Sequence, residues 1–343
     1  MAKRVDLPAS SQLTQLDLVS YGRGGRHTPL EFSRAQLDQI GRTARGVPEV
    51  MVKVSGGGES AAATKAHLSY IDRHGKLEVH TDRGEILQGK AVAEHLTEVW
   101  NLETGRGQFR PEPKPGTIDR RPKQVHNLVF SMPKGTPPEK LLLATQKFAR
   151  EKFALKHRYA MVLHTDQGHP HVHLVVKAKS EHGERLYIRK ATLRGWREDF
   201  AQYLRELGVA ANATPTQLRG KSKEHMRDGI YRALKRGKST FMRGKAEGVG
   251  SELLRGGLRP EPGKARLLAS RERVIQDWIA TAANLRDQGE PQLAREVEGF
   301  VRRMPDVTTV NERIAKALLA NVAAQRSRAL SVERARSIED RGR

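Results

Sequence analysis

The most constraining feature of the sequence is a pair of apolar segments joined by a short turn rich in histidine. RYAMVLH ends at His164, PHVHLVVKAKS begins at Pro170, and the intervening TDQGH is too short to contain a helix. Strands joined by so short a connection pair antiparallel. QVHNLVFSMP, residues 124–133, predicts a further strand, which Pro133 ends. The centre of the chain therefore predicts an antiparallel sheet.

Residues 48–210 predict the element order β-α-β-α-β-α-β-β-β-α. The first strand, Glu49–Val54, is followed by three glycines, and one or two short strands are expected within GKLEVHTDRGEIL. RLYIRK, residues 185–190, is expected to form another strand, and the helix after it ends at Gly208. The predicted fold class is α+β, with helices packed on one face of the antiparallel sheet.

The chain divides into three predicted regions. Residues 1–47 contain SYGRGGRHTP and little apolar periodicity, so we expect a flexible basic arm with a short helix at 31–43. Residues 48–214 form the sheet domain. Residues 215–343 show no convincing strand and predict a mainly helical basic region for DNA or partner binding.

The charge balance points to a polyanionic partner. The 343 residues include 62 Lys+Arg and 39 Asp+Glu, a net charge of +23, and nucleic acid is the commonest polyanion. The absence of cysteine excludes disulfides, thiolate metal sites and a cysteine nucleophile. No apolar run approaches the roughly 18–20 residues of a membrane span, and the first residues lack the pattern of a secretory signal. We therefore expect no membrane insertion.

The densest basic patch is residues 219–245, with ten basic and two acidic residues. This density favours a surface that follows a phosphate backbone, although a solvated helix face is the alternative. The DNA-binding candidates in this patch are Lys221, Lys223, Arg227, Arg232, Lys235, Arg236, Lys238 and Arg243.

Four histidines fall within residues 164–173. Side chains two apart on a strand point to the same face, so His171 and His173 project together, and the turn brings His164 alongside them. Three neutral imidazoles around an open position suit a divalent metal that still has room for water or substrate. Asp166 has the chemistry to accept the other ring N–H of a ligating histidine.

Other interpretations of these histidines stay open. The cluster is alternatively a set of polar residues on the exposed face of a hairpin. His169, in the turn before Pro170, is a contact for either metal or substrate, and His126, on a neighbouring strand, has a packing or a functional role.

Among six tyrosines, Tyr70 stands apart because it lies late in a predicted helix surrounded by cationic side chains. Those side chains are Lys65, His67, Arg73, His74 and Lys76. Cations near a phenol favour its ionised form. The alternative for Tyr70 is a helix residue that packs on the sheet. Tyr159 and Tyr187 lie in apolar strand segments, and we expect both in the core.

The pattern H-x-D-x-x-x-P-H-x-H followed by an apolar strand resembles the third motif of conjugative relaxases, mobilisation nucleases of the HUH endonuclease superfamily. HLSYIDRHGKLEV resembles their first motif, which carries the tyrosine, and the likeness is strongest to the relaxases that nick T-DNA borders. The resemblance covers about residues 48–212. It implies a five-stranded antiparallel sheet, Tyr70 as nucleophile, a ligand set of His164, His171 and His173, and Asp166 as a ligand-orienting residue.

The resemblance also implies a function. A relaxase uses Mg²⁺ or Mn²⁺, nicks one strand at the transfer origin of a plasmid or mobile element, and pilots the 5′-phosphotyrosine-linked strand into a recipient. The implied partners are single-stranded origin DNA, duplex DNA, accessory relaxosome proteins and a type IV secretion coupling protein, and the implied location is the bacterial cytoplasm. The alternatives are a rolling-circle replication initiator, a transposase, or a non-enzymatic nucleic-acid-binding metal protein.

Overall fold

The computed structural model divides the chain into two compact units, Met1–Thr214 and Pro215–Arg343. The residues that the structure describes are 31–102, 122–166, 168–216, 218–221 and 228–341. Of the predicted arm, residues 1–30 lie outside this set.

The described part of the first unit alternates helices and strands along the chain. Its helices are α1 (Arg34–Ala44), α2 (Ala61–Ile71), α3 (Val92–Val99), α4 (Pro138–Phe153) and α5 (Lys190–Glu206). Its strands are β1 (Met51–Gly56), β2 (Val79–Thr81), β3 (Ile86–Leu87), β4 (Val125–Ser131), β5 (Tyr159–His164) and β6 (His171–Lys177).

These strands form one sheet in the order β1-β4-β6-β5-β2-β3, and every neighbouring pair is antiparallel. The antiparallel sheet is therefore confirmed. The central strands β5 and β6 are mostly apolar, and both are largely buried. Strands of this kind must be covered on two faces.

Helices accordingly pack on both faces of the sheet, and the prediction of one covered face is wrong. Helices α4 and α5 cover a core that includes Val172, Leu174 and Val176. Helices α2 and α3 cover the opposite face, where Val162 and Val175 are buried. Alternate residues of one strand thus enter two separate cores.

The predicted number of five strands is also wrong, because the described sheet has six. The sixth is β3, a two-residue strand that a tight turn folds back onto β2. Thr81 and Glu85 close this turn, in which Gly84 has a φ of +79°. A two-residue strand is too short to show an alternating pattern in the sequence.

RLYIRK is extended but forms only an isolated bridge, Lys179↔Arg185, rather than a strand. Leu186 and Ile188 pack against the core beneath α4 and α5, while Tyr187 is 72% exposed. Its alternation therefore reflects packing on one side, without a partner strand. The prediction that Tyr187 lies in the core is wrong, whereas Tyr159 is buried as expected.

The predicted flexible arm extends too far, since residues 34–47 belong to the folded unit. Ser33 caps α1 with a capping box, and Ile40, Thr43 and Ala44 are buried. The Asn212 side chain donates to Thr43 Oγ1 at 3.1 Å and to Thr214 Oγ1 at 2.9 Å. This buried polar cluster attaches α1 to the end of the first unit.

The described residues of the second unit contain helices and no strand. They are α6 (Asp228–Lys235), α7 (Thr240–Leu254), α8 (Pro262–Asp287), α9 (Pro291–Arg302) and α10 (Val310–Arg341). Helices α8 and α9 form a hairpin in which the rings of Trp278 and Phe300 meet edge to face at 5.2 Å. None of the described helices combines the length and apolarity needed to cross a bilayer.

Candidate active site and metal centre

The antiparallel pairing of β5 and β6 brings three imidazoles together. His164 lies directly opposite His171, and His173 follows two residues later on the same face. One ring nitrogen from each histidine lies within 4.8 Å of the others, and the ring centroids are 4.7–5.2 Å apart. The strand–turn–strand segment alone therefore assembles this triad.

Backbone carbonyls fix two of the three rings. His164 Nε2 donates to Ile71 O at 2.6 Å, and His171 Nδ1 donates to His169 O at 3.3 Å. Those bonds leave Nδ1 of His164 and Nε2 of His171 as lone-pair donors for a metal. Nδ1 of His173 is buried and has no hydrogen-bond partner among the described residues.

The triad is held in its neutral form. Burial lowers the pKa of His164 and His171, and burial with the neighbouring histidines lowers the pKa of His173 to about 3. Neutral imidazoles are the form that binds a metal. Three neutral imidazoles, two buried and one partly buried, fit a divalent cation.

Tyr70 lies on the last turn of α2, next to the triad, and the residue is 57% exposed. Leu68 and Ile71 of the same helix are buried, so the phenol points away from the core. The carbonyl of Ile71 anchors this end of α2 to His164. Tyr70 therefore does not pack on the sheet, which was the alternative for this residue.

Residues 90–209 match the family described as "Relaxase: MobA/VirD2-like, nuclease domain". The chain carries a VirD2-like relaxase nuclease domain. The matched stretch contains the whole histidine triad, and Tyr70 lies before it.

The relatives of this relaxase domain include the T-DNA border endonucleases VirD2 of Rhizobium radiobacter and Agrobacterium fabrum. Each is 24% identical, over 202 and 204 residues, which is 55% of this chain and 47% and 44% of the relative. VirD2 of Rhizobium rhizogenes is 25% identical over 142 residues, 38% of this chain and 31% of its own. The chain thus spans less than half the length of these relatives.

A solved structure titled "Molecular Basis of Vancomycin Resistance Transfer in Staphylococcus aureus" aligns over 49% of this chain and 99% of its own. Its TM-score is 0.26 at 12% identity, which is too distant to bear on the fold.

Asp166 of the relaxase domain makes a different contact from the expected one. Its carboxylate accepts from Arg73 Nη2 at 2.7 Å, and this hydrogen bond holds the pKa of Asp166 below its usual range. The ring N–H groups of His164 and His171 donate to backbone carbonyls instead. The prediction that Asp166 orients a ligand ring is therefore not what the structure shows.

Two further residues, Arg73 and His67, also lie in this site. Arg73 donates to His164 Nδ1 at 3.3 Å as well as to Asp166, and its guanidinium lies 5.4 Å from the Tyr70 ring centroid. The His67 ring lies 6.5 Å from that of Tyr70 and 6.3 Å from that of His173. The sequence pattern indicates both only as cations near Tyr70, because the contacts between α2 and β5 have no sequence signature.

His169 and His126 occupy different surroundings in the relaxase domain. The His169 ring is exposed, 5.7 Å from that of His171, and borders an open cavity of about 360 Å³ that Met51 and Lys134 also line. His126 lies on the opposite face of the sheet from the triad, where its Nε2 bonds Leu186 O at 3.1 Å. This position favours a packing role for His126, beneath the segment that leads into α5.

The basic patch lies in the second unit, on and around α6 and α7. Lys223 and Arg227 lie outside the described residues. The other six predicted DNA contacts are exposed: Lys221, Arg232, Lys235, Arg236, Lys238 and Arg243.

Proposed function

We propose that this protein nicks one DNA strand at the transfer origin of a plasmid or mobile element and pilots the linked strand during conjugative transfer. The observation that supports this most is an exposed tyrosine beside a triad of neutral imidazoles, within a VirD2-like relaxase nuclease domain. A phenol can attack a phosphodiester, and clustered imidazoles can hold the cation that neutralises it.

His164, His171 and His173 would hold Mg²⁺ or Mn²⁺. Bound there, the cation would supply positive charge to the nonbridging oxygens of the scissile phosphate.

Tyr70 would carry out the covalent step. Its phenol loses a proton to water, the phenolate oxygen bonds to phosphorus, and the bond from phosphorus to the 3′ oxygen breaks. The 3′ oxygen leaves as a hydroxyl after taking a proton from solvent, and the 5′ end stays on Tyr70 as a phosphotyrosine. Because the link is still a phosphodiester, the same site can rejoin the ends by the reverse reaction.

The sheet offers a track for single-stranded DNA that leads to the triad. Lys53 of β1 pairs with Val129 of β4, which pairs with His173, so the three side chains form one row on one face. Lys53 and its neighbours Met51 and Ser55 are exposed. Two strand spacings, about 10 Å in all, separate Lys53 from His173, which suits one phosphate contact beside the scissile one.

The second unit would hold duplex DNA or partners. Its exposed basic patch favours phosphate contacts, and accessory relaxosome proteins and a type IV coupling protein are the proposed protein partners. We propose that the protein acts in the bacterial cytoplasm and enters the recipient with the strand.

The test uses a pool of single-stranded oligonucleotides with a randomised segment, incubated with the full chain and Mn²⁺. We expect a covalent adduct, mass spectrometry that locates it on Tyr70, and sequencing that recovers one preferred site. Tyr70→Phe should abolish the adduct, while Tyr187→Phe, which removes another exposed phenol away from the site, should not. A wild type without adduct, or an adduct that survives Tyr70→Phe, contradicts the proposal.

A further inference from the structure

We propose that Arg73 is a catalytic residue that binds a nonbridging oxygen of the scissile phosphate, and that Asp166 is the residue that positions it. This inference rests on the proposed nicking function and adds a side chain that the metal-and-tyrosine mechanism does not include.

The first observation is the backbone that presents Arg73. Arg73 and His74 have φ values of +56° and +59°, a left-handed conformation that non-glycine residues adopt only at a cost in free energy. Buried Asp72 holds the turn, because its side chain accepts from Gly75 N at 3.0 Å and its carbonyl accepts from Leu77 N at 2.9 Å. Such strain is concentrated at functional sites.

The second observation is what the guanidinium contacts. Nη2 donates to Asp166 Oδ2 and lies 3.3 Å from His164 Nδ1, while Nη1 donates to the carbonyl of Tyr70 at 3.4 Å. The Arg73 guanidinium therefore contacts the proposed nucleophile Tyr70, the triad residue His164 and the carboxylate of Asp166. The Arg73 side chain is 26% exposed, so substrate can reach it.

These contacts place Arg73 where phosphate charge develops. His164 Nδ1, the nitrogen that a metal would use, lies 3.3 Å from the guanidinium, so a cation bound there would replace this hydrogen bond and leave an N–H of Arg73 for a phosphate oxygen. A guanidinium has five N–H donors in a planar fork, which allows it to keep Asp166 and bind a phosphate oxygen at once. An ammonium lacks this geometry.

The role assigned to Asp166 follows from the same geometry. Its carboxylate contacts the guanidinium at 2.7 Å, whereas backbone carbonyls orient the rings of His164 and His171. Loss of the carboxylate should therefore disturb Arg73 and leave metal affinity largely intact.

The experiment compares full-length Arg73→Ala, Arg73→Lys, Asp166→Asn and the double variant Arg73→Ala/Asp166→Asn. Arg83→Ala is the matched control, because Arg83 is an exposed arginine on the β2–β3 turn. Two quantities are measured: the single-turnover rate of adduct formation with the selected oligonucleotide and Mn²⁺, and the affinity for Mn²⁺ alone by electron paramagnetic resonance.

We expect Arg73→Ala to slow adduct formation about 10²–10³-fold, as loss of one preorganised donor does, with Arg73→Lys restoring little. Added guanidinium ion should recover part of the Arg73→Ala rate. Asp166→Asn should slow the reaction about tenfold in the wild-type background and have no further effect in Arg73→Ala. All variants should bind Mn²⁺ with near wild-type affinity.

Three results overturn the proposal. One is a rate for Arg73→Ala, or for Arg73→Lys if the alanine variant is unfolded, close to that of Arg83→Ala. Another is additive losses in the double variant together with weakened Mn²⁺ binding by Asp166→Asn, which would place Asp166 on the metal ligands. If the wild type itself forms no adduct, the nicking function fails first, and this inference fails with it.

Discussion

Substituting alanine for Gly75 tests the turn that carries Arg73, and the same substitution at Gly84 is a matched control. Both Gly75 and Gly84 adopt positive φ, +84° and +79°. A Cβ on Gly75 would lie 2.3 Å from the carbonyl carbon of Gly89 and 2.5 Å from the amide nitrogen of Lys90, whereas a Cβ on Gly84 would meet nothing within 4 Å. The two alanine variants therefore share the backbone cost and differ in the clash.

The magnitudes follow from that difference. Gly84→Ala should lower the free energy of unfolding of the first unit by about 1 kcal/mol, the cost of a left-handed alanine. Gly75→Ala adds the displacement of a neighbouring backbone, about 1–3 kcal/mol more. At about 2–4 °C per kcal/mol for a unit of this size, the expected losses in Tm are about 3 °C for Gly84→Ala and about 5–15 °C for Gly75→Ala.

Differential scanning calorimetry of the full chain, with urea unfolding followed by circular dichroism, measures both losses. Gly75→Ala should also slow adduct formation more than Gly84→Ala does, because Arg73 lies in the same turn. Equal destabilisation by the two variants would refute the close approach of the Gly75 turn to Gly89.

Three further predictions concern pH, metal and salt. Burial, together with the negative charge of neighbouring Asp199, raises the pKa of Glu198 to about 7. The folded state therefore binds the Glu198 proton more tightly than the unfolded state does, and the free energy of unfolding should fall as the pH rises from 4.5 to 7. In pH-dependent urea unfolding, Glu198→Gln should remove this fall, about 1–2 kcal/mol after solvent screening; an unchanged slope contradicts it. In thermal unfolding, Mn²⁺ at 100 times its Kd should add about 2.7 kcal/mol to the stability of the first unit, and His171→Ala should abolish the gain. For duplex DNA, alanine at Arg232, Lys235 and Arg236 together should flatten the log Kd–log salt slope by about 3, and an unaltered slope would exclude these contacts.

The central hairpin and its histidines could be predicted from the sequence because local rules determine them. The short connection of six residues between His164 and His171 sets these two side chains opposite each other, and the period of two fixes which face His171 and His173 share. His164, His171 and His173 therefore meet without reference to the rest of the chain. RLYIRK follows the same alternation but lacks a partner strand, and a pattern alone cannot report the partner.

The surroundings of Tyr70 could not be predicted in the same way. Arg73 reaches the site through a left-handed backbone that no residue type at that position signals, and through the docking of α2 on β5. The sequence pattern pairs Asp166 with a ring N–H because it does not show that backbone carbonyls already accept from those ring nitrogens. Tertiary docking thus determined the parts of the site that local pattern left undecided.

The polar cluster around Asn212 has a consequence for how the protein is made. Asn212 exchanges backbone hydrogen bonds with Pro48 and Val50, and its side chain reaches Thr43, 169 residues earlier. During synthesis, α1 and the edge strand β1 cannot form this contact until nearly the whole first unit has left the ribosome. Contacts between residues so far apart in the sequence slow folding. A recombinant fragment that ends at residue 209, where the family match ends, would leave that edge uncovered and prone to aggregate, whereas one ending at Thr214 would retain the closure.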